Sequence, residues 1–123
     1  MSLHFRSRRV VLAGALALAL RPRPGEAHAI LEASEPAAGG RVPAGVIVVR
    51  LRFNSRIDRE RSRLTLTRPD QTRANLPIEP DGPPDLLTAS VTLTPGAYVM
   101  RWQVLAIDGH ITRGDVAFTV TGP

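Results

Sequence analysis

The sequence predicts an all-β sandwich, and three observations carry that prediction. Apolar and polar residues alternate along several short runs. Turn chemistry separates those runs: the 123 residues include 11 prolines and 10 glycines, which break helices and shape turns. No segment after residue 28 sustains a helical period.

The elements follow in order. A short strand is expected around residues 29–32. The next run sets Ile47, Val49, Leu51 and Phe53 against Val48, Arg50 and Arg52, giving one apolar and one wet face. Leu64 and Leu66 alternate with Thr65 and Thr67, and Val91 and Leu93 with Thr92 and Thr94. Tyr98, Met100, Trp102 and Val104 form the apolar face of a further strand. Tyr98 and Trp102 read as core anchors and Met100 as packing. Val116, Phe118 and Val120 alternate with Ala117, Thr119 and Thr121. Turns fall at residues 36–40, 43–45, 68–70, 80–84, 94–96 and 108–109. Residues 81–84 are expected to be the most mobile loop. About seven short strands in a single domain of this size point to an immunoglobulin-like sandwich.

Composition removes several functions. The chain has no cysteine, which excludes disulfides, thiolate metal sites and a cysteine nucleophile. The net charge of +5 suggests a nucleic-acid binder only until the charges are placed. Arg6, Arg8, Arg9, Arg21 and Arg23 precede residue 28 and face one acid, Glu26. The remainder carries 11 Arg against 10 Asp plus Glu, a balance of +1. No nucleic-acid partner is expected.

The basicity belongs to an export signal. Residues 1–9 are basic, and residues 10–20 are an apolar run (VVLAGALALAL). That run is short for a membrane span of about 20 residues and suits the core of a secretory signal. Gly25-Glu26-Ala27 places small residues for cleavage after Ala27. Residues 1–27 are therefore read as a signal peptide and residues 28–123 as the mature, exported domain. Ser7-Arg8-Arg9-Val10-Val11-Leu12 resembles a twin-arginine signal but lacks its Phe. The twin-arginine and general secretory routes both stay open.

Cleavage there makes His28 the N-terminus. Its α-amine and ring Nδ1 then close a six-membered chelate on one metal ion. Asp108-Gly109-His110 offers a carboxylate and an imidazole two residues apart, on one side of an extended chain. These are the two histidines of the mature segment. Two imidazoles, one amine and one carboxylate make a tetragonal donor set suited to Cu(II). The competing readings are an ordinary Asp-Gly turn with a surface histidine, and a signal that happens to end before a histidine.

The opening His28-Ala29-Ile30-Leu31-Glu32-Ala33-Ser34-Glu35-Pro36-Ala37-Ala38-Gly39 resembles the mature start of the CopC copper-resistance family. So does the ending, through Gly96, Tyr98, Trp102, Val104, Asp108, Gly109, His110, Gly114, Phe118 and Val120. The resemblance implies a cupredoxin-like, Greek-key sandwich in the periplasm that binds Cu(II) through His28, Asp108 and His110. It also implies a role in copper tolerance, by sequestration or by delivery to a CopD-like inner-membrane protein. Two departures stand out. The methionine-rich loop of some members is missing, since Met100 is the one methionine after residue 28. Many members read F-S-E-x-[VI] where this chain has Phe53-Asn54-Ser55-Arg56-Ile57, so Ser55 replaces an acidic residue.

The leading expectation is a monomeric copper-binding protein without turnover. A copper-dependent oxidase or monooxygenase using the same histidine chelate is the competing enzyme class. Asp108 would occupy a position that oxygen chemistry wants open. A metal-free sandwich that binds a protein partner is the third class. Arg50, Arg52, Arg56, Arg59, Arg61 and Arg63 form a basic stretch that is expected to be a solvated face, partly balanced by Asp58 and Glu60.

Overall fold

The alternation along residues 47–53 becomes a strand that buries Ile47, Val49, Leu51 and Phe53 and leaves Val48, Arg50 and Arg52 in water. The computed structural model describes residues 28–122, so the expected signal peptide lies outside the described residues. Eight strands form: β1 (Leu31–Glu35), β2 (Arg41–Pro43), β3 (Gly45–Phe53), β4 (Ile57–Thr67), β5 (Arg73–Leu76), β6 (Leu86–Leu93), β7 (Gly96–Ala106) and β8 (Ile111–Thr121). The described residues contain no helix.

The strands make two sheets, ordered β1-β3-β6 and β2-β8-β7-β4-β5. Neighbours are antiparallel except β2 and β8, which run parallel. The chain changes sheet from β1 to β2, β2 to β3, β3 to β4, β5 to β6 and β6 to β7, so only β4–β5 and β7–β8 are consecutive strands paired in one sheet. The two-sheet sandwich is what the alternating runs predict, and its Greek-key connections are what the family resemblance implies.

The core lies between the sheets. Leu87, Ala89 and Leu93 join the β3 residues from one side. Leu64, Leu66, Tyr98, Met100, Trp102, Val104, Val116, Phe118 and Val120 come from the other. Each such large side chain contributes about 1.5–3 kcal/mol of transfer free energy. Phe53 meets Trp102 edge to face across the layers, with centroids 5.2 Å apart. The buried Tyr98 hydroxyl donates to the Thr94 carbonyl at 2.8 Å, so its burial leaves no stranded donor.

Three local features differ from expectation. First, β4 begins at Ile57, seven residues before the Leu64 alternation. Its register against β7 shifts between Asp58 and Arg63. There the buried Ser62 hydroxyl donates to the Asp58 carbonyl at 2.6 Å and accepts from the Leu105 N–H at 3.4 Å. A side chain thus serves a ladder that the bulge interrupts. Second, β2 and β5 extend the larger sheet by only three and four residues. Third, the loop at residues 80–86 is fastened rather than free. The Arg59 guanidinium donates to the carbonyls of Pro80, Pro83 and Leu86 at 3.2, 2.7 and 3.2 Å.

Candidate metal centre

The β7–β8 hairpin presents Asp108 and His110. The Ala106 N–H donates to the His110 carbonyl at 2.8 Å, and the Gly109 N–H to the Ala106 carbonyl at 2.9 Å. Gly109 adopts φ +89°, a conformation that side chains resist. This tight turn, rather than an extended chain, brings the carboxylate to the imidazole. Asp108 Oδ1 accepts the His110 backbone N–H at 3.1 Å, and Oδ2 lies 2.9 Å from His110 Nδ1. An ionised carboxylate only accepts, so the shared proton sits on Nδ1. The side-chain hydrogen bond from His110 is the main reason that the Asp108 carboxyl is held below its usual range. The backbone bond and the charges of His110 and His28 add to the effect.

His28 arrives from the other sheet, on the segment leading into β1. Two side chains fasten that segment. Asn54 Oδ1 accepts the Ile30 N–H at 2.8 Å, while the Asn54 N–H donates to the Ile30 carbonyl at 3.0 Å. On the opposite side the Thr112 hydroxyl donates to the Ala29 carbonyl at 2.8 Å. Ala29 itself is buried, 1% exposed. With residues 29 and 30 fixed, the His28 ring stands edge-on to the His110 ring, centroids 4.7 Å apart. One ligand-type atom from each of His28, Asp108 and His110 lies within 4.8 Å of the others, and all three residues are exposed.

The structure therefore brings together the three residues that the sequence singles out. Asn54 and Thr112 were missed. Each acts on a backbone far away in sequence, so no local pattern marks it. Ser55 follows Asn54 directly. Its Oγ is buried and makes no hydrogen bond among the described residues.

Neutral imidazole nitrogen and carboxylate oxygen suit a borderline divalent ion. The 2.9 Å between Nδ1 and Oδ2 matches neighbouring donors on one ion with bonds of about 2.0 Å. The thioether of Met100 takes no part: it lies in the core, 1% exposed.

The model of the CopC domain family matches residues 31–121, a stretch that includes Asp108 and His110 and starts just after His28. Protein YobA of Escherichia coli strain K12 is 32% identical over 98 residues, covering 76% of this chain and 79% of YobA. The crystal structure of CopC from Methylosinus trichosporium OB3b aligns with a TM-score of 0.71 at 28% identity, covering 77% of this chain and 95% of that one. PcoC, a methionine-rich copper resistance protein from Escherichia coli, aligns with a TM-score of 0.63 at 25% identity, covering 77% of this chain and 100% of that one. With this sandwich, these motifs and a domain match spanning both sheets, the chain belongs to the CopC family of copper resistance proteins.

Proposed function

We propose that the chain is a periplasmic Cu(II)-binding protein that sequesters the ion or passes it to a CopD-like inner-membrane partner. The observation that carries this reading is the convergence of His28, Asp108 and His110 from two sheets onto one exposed point. His28 would supply its ring and, once residues 1–27 are removed, its α-amine. Asp108 and His110 would supply carboxylate and imidazole, releasing the proton they now share. Nitrogen and oxygen donors without sulfur favour Cu(II) over Cu(I).

Exposure supports carriage rather than turnover. All three ligand residues are open to water, so an acceptor's ligands can replace them one at a time. A glycan-oxidising enzyme would present aromatic side chains to its substrate. Here Phe53, Tyr98, Trp102 and Phe118 are all buried. The domain would act as a monomer, since its two sheets cover each other's apolar faces.

Two purified chains test the proposal, one starting at His28 and one retaining Ala27. Cu(II) is titrated into each, and the EPR spectra are recorded. Tight 1:1 binding with a tetragonal, nitrogen-rich signal in the first chain alone is the expected result. Equal, weak binding in both would remove the amine chelate and the function with it.

A further inference from the structure

We propose that the outer face of the five-stranded sheet docks on anionic phospholipid headgroups. Register places Arg41, Arg63, Arg73, Arg101 and Arg113 on this face, opposite Thr119, Gln103, Thr67, Thr65 and Gln103 respectively. All five are exposed. Two carboxylates share the face by register, Asp58 and Asp115. Each is already engaged, Asp115 by Arg101 at 3.7 Å and Asp58 by Arg61 at 3.9 Å. Arg41, Arg63, Arg73 and Arg113 meet no carboxylate among the described residues.

The rest of the domain is compensated differently. From residue 28 onward, 11 Arg face 10 acids, yet five of those Arg collect on one sheet face. Of the basic stretch in the sequence, register places Arg63 alone in this patch. Arg50 and Arg52 stand on the other sheet, where Arg50 pairs with Glu35 at 3.3 Å, and Arg59 is folded onto the loop carbonyls.

The shape of the face selects the partner. Neighbouring strands lie about 4.8 Å apart, so five strands present a platform some 20 Å wide. Between the arginines are short side chains such as Thr65, Thr67 and Ala117. The platform offers no exposed aromatic residue to anchor a protein partner. Guanidinium forks on a broad surface suit a layer of phosphates. At the β7–β8 end, Ile107 and Ile111 are 70% and 52% exposed, and they can enter the interface beside the headgroups. Docking would set the Asp108–His110 turn at the membrane surface; that consequence rests on the copper reading, whereas the docking does not.

The test uses the metal-free chain starting at His28, since all the described strands and the described core lie after that residue. Sedimentation with vesicles of phosphatidylcholine plus phosphatidylglycerol is compared with phosphatidylcholine alone. Binding to the anionic vesicles only, weakening as salt rises, is expected. Arg63→Gln/Arg73→Gln/Arg101→Gln/Arg113→Gln should lower partitioning at least about tenfold. Arg50→Gln/Arg52→Gln should keep most of it. If the fourfold variant does not fold, Arg73→Gln/Arg113→Gln carries the same comparison. The proposal is overturned by no binding to anionic vesicles, by equal losses in both variants, or by binding to polyglutamate or duplex DNA in place of vesicles.

Discussion

His28 has its position because Asn54 and Thr112 hold the two residues after it. Asn54 is the more telling of the two, because its side chain and its own N–H grip the same residue, Ile30. Asn54→Ala removes one bond of about 1 kcal/mol and leaves the core untouched. Copper affinity of the chain starting at His28 should therefore fall about fivefold, with melting temperature lowered by no more than a few degrees. A large loss of stability with unchanged affinity would show that Asn54 serves the fold instead. Asp108 carries a second prediction. Its carboxyl is held below the usual range, chiefly by the His110 side chain. A depressed folded value means that the pair stabilises the fold above the unfolded value of about 3.9, and that this is lost as pH falls through the lower folded value. Carbon NMR of the Asp108 carboxyl in metal-free protein should give a midpoint below about 3.9, moving up in His110→Ala. A midpoint at or above that value would mean that the hydrogen bonds do not persist in solution.

Among the elements, the β7–β8 hairpin does the most for the site, and its packing depends on Gly114. Gly114 lies opposite Trp102. A Cβ there would stand 2.4 Å from Trp102 Cζ2. The indole lies over the glycine and fills the space that a side chain would take. Gly114→Ala must push the ring out of a core where Trp102 is 7% exposed and Phe53 packs against it. Overpacking of this kind costs about 1–3 kcal/mol, so urea unfolding should show that loss. An unchanged midpoint would mean that the ring moves freely. The same hairpin shows what the sequence makes legible. Its strands β7 and β8 carry clean alternation, and the Asp108-Gly109-His110 turn is a local motif. β4 is harder, because Asp58, Arg59, Glu60 and Arg61 show no period, and the Ser62 bridge across the bulge has no signature. β2 and β5 are too short for any period to register. Arg59 looked like one more solvated cation, and only the fold supplies the three carbonyls that occupy it.

For the whole molecule, the candidate site spans the sandwich. His28 precedes β1 of the three-stranded sheet, and Asp108 and His110 lie between β7 and β8 of the five-stranded sheet. The three ligands were readable as one donor set, and the topology shows how residues so distant in sequence meet. A copper ion held by all three would tie one sheet to the other at an edge where β1 has a single neighbour, β3. An ion bound only to the native state stabilises it by about 2.7 kcal/mol when free copper is a hundredfold above Kd. The placement says where that gain should appear. β1 is a five-residue edge strand whose pairing with β3 is interrupted by a register shift, so it should open more readily than the paired strands of the core. Opening β1 carries His28 away from Asp108 and His110, and bound copper must oppose it. Hydrogen exchange of the β1 amides should therefore slow on adding Cu(II) to the chain starting at His28, together with those of the β7–β8 turn. Asp108→Ala should abolish both effects; in the metal-free protein it should leave β1 exchange nearly as before and speed exchange of the His110 amide, which loses its acceptor. If copper protected the β7–β8 turn alone, the ion would be held by the hairpin without His28, and the bridge between the sheets would not exist.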